Sequence, residues 1–363
     1  MKTVILDVET RSALSLKKAG ASRYAVDRTT DVWCAAYAVE DQPVQLWVPG
    51  EPVPEAIAAA DVIVAHNAAF ERAIFAHVLP RHGWPAIPTE RWRCTMAMGL
   101  ALALPGSLDK VAKALSLPEQ KADKTIVALM AKPRRPRGDE NPAAGPFWFD
   151  DIEHRQALYD YCRQDVETER ALYRWLLPLI PAEQELWRLD QRINDRGFYV
   201  DGRLPEQANA IVTAAERAIQ AELQQITGGE IESASQVAKI IAWLAAHGCE
   251  VKDLQKGTLS QALRRKELVP EVRRVIELRR EAAHASAAKM PALRAWRCPD
   301  RSDRPDGRVR GAFKYHGAAT GRWSGSGPQP QNFRKEIENT AAKLLAVLTG
   351  DIEVVRKLGA PSS

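Results

Sequence analysis

The sequence predicts an α/β fold with a mixed sheet, followed by a mostly helical region. Over residues 1–181, short apolar runs alternate with amphipathic helical patterns, which is typical of a sheet with helices packed on it. Pro178 and Pro181 end the long helical pattern that precedes them, and we place a domain boundary there. Residues 182–363 show helical periodicity in almost every segment. A chain of 363 residues is long enough for these two domains.

In the first domain, five apolar runs predict strands and four amphipathic patterns predict helices. The strands are expected near residues 3–8, 31–39, 44–48, 61–65 and around Trp92, and the helices near 68–78, 107–116, 122–131 and 152–177. In the second domain we expect helices near 182–195, 206–226, 235–247, 258–266 and 270–290, and a short strand over 309–315. Gly197 is expected just past the end of the first of these helices, where a left-handed residue is common.

An acidic pair, Asp7 and Glu9, stands at the end of the first predicted strand. Because successive side chains of a strand point to opposite faces, these two carboxylates lie on the same face. Their burial costs free energy unless a cation or a basic group compensates the charge. An isolated pair of this kind is usually a solvated strand end, so the hypothesis of a metal site requires further ligands elsewhere in the chain.

Two other groups of polar residues occur later in the sequence. The segment His66-Asn67-Ala68-Ala69-Phe70-Glu71 comes directly after the strand near 61–65, and Asn67 is suited to cap the next helix. Tyr161 and Asp165 are four residues apart in the long helical pattern, so they share one helix face. Each group alone has an ordinary explanation, as a helix cap or a surface pair. Their order along the chain instead predicts one site built from several elements.

The segments DVET, HNAAFE and YCRQD resemble the three exonuclease motifs of the DEDD-type 3′–5′ exonucleases, which have a ribonuclease H-like fold. Tyr161 resembles the tyrosine of one subclass of that family. The longer stretch over residues 6–41 resembles the opening of the proofreading domain of phage-type family A DNA polymerases, such as those similar to bacterial DNA polymerase I. The resemblance implies a metal-dependent 3′–5′ exonuclease domain over residues 1–181, acting in DNA replication.

The resemblance also implies the roles of the site residues. Two Mg²⁺ or Mn²⁺ ions are expected, because such ions activate the attacking water and stabilise the leaving oxygen, and because they prefer oxygen ligands. Asp7 is expected to bridge both ions, with Glu9 and Asp165 completing the ion that activates water. Tyr161 is expected to orient that water, and Glu71 to hold the second ion mainly through water.

The second motif departs from the usual pattern at its end. The family generally has aspartate there, whereas this chain has Glu71, whose extra methylene moves the carboxylate outward by about one bond length. Phage-type members commonly carry HNAxFE, so we interpret Glu71 as a functional variant. Asn67 and Phe70 of the same motif are expected to contact the DNA strand.

A second resemblance lies near the other end of the chain. The segment Ile193–Asp201 resembles the opening of the polymerase region of family A enzymes. A T-G-R-W-S sequence and a later Q-N pair resemble the segment with which these enzymes hold the primer–template backbone. The implied DNA-binding residues are Thr320, Arg322, Ser324, Gln331 and Asn332. Small residues allow close backbone approach to phosphate, although a Gly-rich surface loop would have the same composition.

Charge and composition agree with a nucleic-acid partner. Residues 1–181 carry 22 Lys and Arg against 23 Asp and Glu, whereas residues 252–335 carry 20 basic against 8 acidic residues. Such a local excess is expected where a protein contacts phosphates, although a run of charge can also be a solvated helix face. The five cysteines form no C-x-x-C pair, and no P-loop sequence occurs.

The catalytic palm of family A polymerases is expected downstream of the T-G-R-W-S segment. After Asn332 only 31 residues remain, with Asp351 as the sole aspartate, so we expect no nucleotide addition by this chain alone. A truncated product, an incomplete reading and one half of a split enzyme are all compatible with this. The alternative function is therefore a non-catalytic DNA-binding or assembly half of a split polymerase, with a separate palm and fingers chain as partner.

Substrate and location are implied by the same resemblance. We expect DNA as a single-stranded 3′ end and as a primer–template duplex, and an RNA-directed nuclease of the DEDD type is the less favoured alternative. The chain enters a strand directly after Lys2 and has no apolar stretch of the ~20 residues that span a bilayer. A phage or prophage protein in the cytoplasm of a bacterial host is expected.

Overall fold

The computed structural model describes residues 1–118, 125–282, 289–299, 306–333, 340–350 and 354. The chain forms two compact units. Unit 1 comprises Met1–Val200 and Ala295–Asn332, and unit 2 comprises Asp201–Arg294 and Phe333–Ser363. Unit 1 therefore includes residues 182–200 and 295–332 in addition to the predicted exonuclease domain, so its boundary differs from residue 181. The functional division at residue 181 stays a prediction.

A five-stranded mixed sheet forms the centre of unit 1. Its strands are β1 (Thr3–Arg11), β2 (Asp31–Val39), β3 (Gln45–Trp47), β4 (Val62–Ala65) and β5 (Trp92–Cys94). Their spatial order is β3-β2-β1-β4-β5. β1 pairs antiparallel with β2 and parallel with β4, and β4 pairs parallel with β5. The mixed α/β class predicted from the sequence is confirmed.

The helices of unit 1 pack on this sheet and around it. They are α1 (Leu16–Ala25), α2 (Glu55–Ala59), α3 (Ala69–His77), α4 (Thr95–Ala101), α5 (Leu108–Ala114), α6 (Thr125–Met130), α7 (Ile152–Trp175) and α8 (Pro181–Arg196). The long helix α7 packs on β1 and β2. Short strands β6 (Phe198–Tyr199), β7 (Arg308–Val309), β8 (Phe313–Lys314) and β9 (Ser324–Gly325) complete unit 1.

Alternation along β1 sorts its side chains between the two faces of the sheet. Val4, Leu6 and Val8 are buried in one apolar cluster with residues of α3. Ile5 belongs to a different cluster, on the opposite face, which includes Cys162 and Val166 of α7. Since side chains two apart share a face, Asp7 and Glu9 point to the face that α7 covers.

Unit 2 is helical in its described part. Its helices are α9 (Arg203–Ile226), α10 (Val237–Ala246), α11 (Lys256–Ala262), α12 (Pro270–Ala282) and α14 (Thr340–Thr349), while α13 (Lys289–Trp296) runs to the point where the chain returns to unit 1. An apolar cluster of α9 to α12 side chains, including Leu223, Trp243 and Ile276, forms the core. Along the described residues, no helix combines the length and the hydropathy that crossing a bilayer requires.

Two sequence-based expectations need correction, and a third is tested only in part. The strand expected over 309–315 is two separate two-residue strands, β7 and β8, because Gly311 adopts a left-handed φ of 67° between them. The helix expected over 270–290 is described as α12 up to Ala282; residues 283–288 lie outside the described residues, so its extent beyond Ala282 stays a prediction. Asn67 does not cap α3, because it is itself in a left-handed conformation and Ala68 occupies the N-cap position. Asp351 and residues 122–124 also lie outside the described residues.

Candidate metal centre

Three carboxylates from two elements meet at the face of β1 that α7 covers. Asp7, Glu9 and Asp165 each offer a ligand oxygen, and these atoms lie within 4.8 Å of one another. Glu9 and Asp165 are buried, and Asp7 is half-buried. Three like charges so close together repel one another in a region of low dielectric constant. The arrangement fits a divalent cation, because it offers only hard oxygen ligands and has negative charge to neutralise.

Tyr161 lies at the same site, one helical turn before Asp165. Its side chain is hydrogen-bonded to Asp165 and is 5 % exposed. Burial, followed by the negative charges of Asp165, Glu9 and Asp7, raises the pKa of the Tyr161 hydroxyl above its usual value. The hydroxyl therefore stays protonated at neutral pH and acts as a hydrogen-bond donor.

Cys162 packs behind the first motif. Its Sγ lies 3.6 Å from both the backbone oxygen and Oδ2 of Asp7. Complete burial raises the pKa of the Cys162 thiol well above its usual value, so the side chain faces Asp7 as a neutral weak donor. The contact fixes α7 against β1 at the position where the carboxylates of the two elements come together.

The second motif contributes residues near this centre but not to the group of three. Glu71 is buried in the first turn of α3 and is not a member of that group. Asn67 is exposed in the turn between β4 and α3, with φ 66°, and Phe70 is half-buried. Both Asn67 and Phe70 line a cavity of about 290 Å³, whose wall also includes Asp190 and Lys314.

Two buried polar residues beside the centre were not predicted from the sequence. Glu169 follows Asp165 by one turn of α7 and is 1 % exposed, and Thr95 begins α4 and is fully buried. The Thr95 hydroxyl donates to Glu169 Oε1 at 3.0 Å. Burial, with the charge of Asp7 as a smaller cause, raises the pKa of Glu169 well above its usual value. In the sequence, the only indication of these two residues was the spacing of Glu169, four positions after Asp165 and therefore on the same helix face.

The predicted DNA-binding residues near the other end form a separate structure within unit 1. β8 and β9 pair antiparallel, so residues 315–323 form the loop of a hairpin, here called the TGRWS loop. A Cβ at Gly317 would overlap the side chain of Ser324, which explains why glycine is needed at this close approach. Thr320 and Arg322 are exposed in the loop, and Ser324 lies in β9.

Gln331 and Asn332 come after the hairpin in a short 3₁₀ turn over Pro330–Asn332. Both are exposed, and Asn332 Nδ2 donates to Gln329 Oε1 at 2.8 Å. A Cβ at Gly325 would overlap the side chain of Gln331, so the turn lies directly against β9. The five predicted residues are therefore brought together around one hairpin.

Asp190 of α8 holds the TGRWS loop in place. Trp323 Nε1 donates to Asp190 Oδ1 at 2.7 Å, while the amides of Gln191 and Asn194 donate to Oδ2 at 2.9 and 3.1 Å. Asn194 also exchanges two hydrogen bonds with the backbone of Phe313 in β8. Burial raises the pKa of Asp190 from 3.8 to about 6, against the opposing effect of the hydrogen bond from Trp323.

Comparisons with known proteins agree with this architecture. No protein-family model matches the chain. A DNA polymerase of Bacillus phage SP02 is 34% identical over an alignment of 360 residues, which covers 95% of this chain and 54% of the phage protein. The POL domain of Pol1 from M. smegmatis, solved with DNA primer–template and dNTP, superposes with a TM-score of 0.51 at 16% identity, covering 94% of this chain and 53% of that one.

The fold of the chain is similar to that of a DNA polymerase domain, and its sequence is similar to that of a phage DNA polymerase along nearly its whole length. More particularly, it is a homologue of a Bacillus phage DNA polymerase and spans about half the length of that relative.

Proposed function

We propose that unit 1 is a metal-dependent 3′–5′ exonuclease that hydrolyses DNA from its 3′ end, as the proofreading part of a family A DNA polymerase. The observation that carries the proposal is the group of ligand oxygens of Asp7, Glu9 and Asp165 within 4.8 Å of one another. The similarity to a phage DNA polymerase supports DNA as the substrate. Replication in a bacterial host would place the protein in the host cytoplasm.

The carboxylates and Tyr161 are assigned different roles in hydrolysis. Two Mg²⁺ or Mn²⁺ ions, when bound, would supply an activated water and stabilise the leaving oxygen of the phosphodiester. Asp7, Glu9 and Asp165 are the residues that would hold them, and Glu71 would act at the second ion. Tyr161, whose hydroxyl is hydrogen-bonded to Asp165, is assigned to orient the attacking water.

The DNA contacts fall into two groups. Asn67 and Phe70 line the same cavity, so we assign them to the single-stranded 3′ end. Phe70 offers a ring on which a base can stack, and Asn67 is exposed beside it. Thr320, Arg322, Ser324, Gln331 and Asn332 are assigned to the backbone of the primer–template duplex, because hydroxyl, amide and guanidinium groups all donate to phosphate oxygens.

The test is hydrolysis of a 5′-labelled single DNA strand with Mg²⁺ or Mn²⁺. A ladder that shortens from the 3′ end supports the exonuclease. An intact strand at high protein concentration, with a retained gel shift, would contradict it and leave a non-catalytic DNA-binding half of a split polymerase. An RNA strand of the same sequence, treated in parallel, is expected to remain intact, and its preferred cleavage would contradict the assignment to DNA.

A further inference from the structure

A buried chain of hydrogen bonds connects the second and third motifs beside the metal centre. Glu169 of α7 accepts from the Thr95 hydroxyl at 3.0 Å and from the backbone N–H of His66. His66 Nδ1 lies 3.0 Å from the same Thr95 oxygen, and His66 Nε2 lies 3.2 Å from the backbone oxygen of Gly106. These hydrogen bonds therefore connect α7, through the start of α4, to the turn between β4 and α3.

The donors and acceptors of these hydrogen bonds determine how many protons the Glu169, Thr95 and His66 side chains share. A carbonyl oxygen only accepts, so His66 Nε2 carries a proton that it donates to Gly106. The Thr95 hydroxyl has one proton, which it donates to either Glu169 or His66 Nδ1. All the hydrogen bonds form when one further proton is present, either on Glu169 or on His66 Nδ1. The Thr95 hydroxyl joins these two side chains, so its loss breaks a hydrogen bond of each.

The residues of the proposed site lie close in sequence to the two ends of this series of hydrogen bonds, Glu169 and His66. At one end, Asp165 and Tyr161 lie on α7, within about two turns of Glu169. At the other end, His66 is followed at once by Asn67, whose left-handed φ of 66° is adopted mainly by glycine and asparagine. The hydrogen bonds of the His66 backbone and ring hold the residue that begins this turn. Glu71 comes four residues later, in α3.

We propose that Glu169, acting through Thr95 and His66, is a positioning residue of the exonuclease centre, an inference that rests on the proposed function. It fixes the turn of the second motif, and with it Asn67 and Glu71, relative to the carboxylates on β1 and α7. Residues that hydrogen-bond to the ligands of a metal ion orient those ligands. Loss of such a residue typically lowers metal affinity or activity by roughly 10- to 100-fold.

The sharpest variant is Thr95→Val, because it keeps the shape of the side chain and replaces the hydroxyl with a methyl group. We expect kcat on single-stranded DNA to fall at least tenfold and Mn²⁺ binding, followed by the electron paramagnetic resonance of the free ion, to weaken. The conservative Thr95→Ser restores the hydroxyl and is expected to recover most of both. Glu169→Leu removes the acceptors of both the Thr95 hydroxyl and the His66 backbone N–H, and is expected to lower kcat and Mn²⁺ affinity as Thr95→Val does.

A purely structural role would give a different result. Thr95→Val would then lower the melting temperature while kcat and Mn²⁺ affinity of the folded protein stayed at the wild-type values, and this would overturn the inference. Failure of the proposed function is recognised separately. In that case the wild-type protein itself produces no ladder, or Asp7→Ala cleaves as the wild type does.

Discussion

The metal centre and the TGRWS loop handle charge in opposite ways. At the metal centre, Glu9 and Asp165 are buried together with half-buried Asp7, so the like charges are concentrated where water is scarce. In the loop, the charged group that would meet DNA, Arg322, is exposed. The buried carboxyl that contacts the loop is Asp190 of α8, which accepts hydrogen bonds from three donors.

This difference indicates how each region would work. The negative charge of a group of buried carboxylates is not compensated without cations. Loss of any one ligand should therefore lower the activity greatly. An exposed guanidinium on a preformed loop contributes one contact among several, so its loss should be graded. Variants that leave the metal centre active without one of its ligands, or that make Arg322 indispensable for DNA binding, would contradict this difference.

The largest effect is expected at the ligands. Asp7→Ala or Asp165→Ala should lower single-strand hydrolysis more than a hundredfold, because an oxygen ligand is lost from a metal centre that supplies most of the rate. Duplex binding, measured by fluorescence anisotropy, should change little, because the TGRWS loop is untouched. Near-normal hydrolysis by Asp7→Ala would show that the catalytic centre lies elsewhere.

The second effect concerns the pH dependence of unit 1. The pKa of Asp190 is raised by burial from 3.8 to about 6, so its protonated form favours the folded state. That contribution is fully present below pH 3.8 and is lost as the pH rises through 6. From the size of the shift, the loss amounts to at most about 3 kcal/mol in the free energy of unfolding.

Asp190→Asn isolates this contribution, because it keeps an acceptor for Trp323 and cannot ionise. Urea unfolding of both proteins at about pH 4.5 and about pH 7.5, on either side of the raised pKa, gives the comparison when followed by tryptophan fluorescence. The free energy of unfolding of the wild type should decline relative to that of the variant as the pH rises. Parallel pH profiles for the two proteins would contradict the expected ionisation of Asp190.

The third effect is graded binding by the TGRWS loop. Arg322→Ala should weaken duplex binding by ~1–3 kcal/mol with little dependence on sequence, and should reduce the salt dependence by about one phosphate contact. Arg322→Lys keeps the charge and should lose less. Lys113→Ala removes an equal charge from an exposed position on α5 and serves as the matched control. An Arg322→Ala variant with unchanged duplex affinity would reduce the loop to a structural element.

The sequence predicted those parts of the molecule that depend on local pattern. The strands β1, β2 and β4 and the helix α7 lie within a few residues of their expected bounds, because alternation and helical periodicity act over short distances. The convergence of Asp7, Glu9 and Asp165 was also expected, because the order of the three motifs and their resemblance to the DEDD-type exonucleases implied one site.

The remaining features depend on contacts between distant parts of the chain. Thr95 and Glu169 are 74 residues apart, and Asp190 and Trp323 are 133 residues apart, so no periodicity in the sequence connects them. The kink in α1 at Gly20 is a similar case: the position is left-handed, and a Cβ there would overlap the ring of Trp296. Such networks arise from tertiary packing, which a pattern of apolar residues does not specify.

The smallest effect is expected at Glu71, where the second motif departs from the usual aspartate. If Glu71 acts at the second ion mainly through water, Glu71→Asp should retain nearly full hydrolysis, since a shorter carboxylate can still hold a bridging water. Glu71→Ala should lose roughly tenfold, in the lower part of the range for residues that act behind the direct ligands. The measurement is kcat on a single strand over a titration of Mn²⁺, with Asp7→Ala as the reference for complete loss. A Glu71→Ala variant as inactive as Asp7→Ala would instead place the Glu71 carboxylate in direct contact with the ion. Glu71 would then be a fourth carboxylate ligand, with Asp7, Glu9 and Asp165, and not a supporting residue.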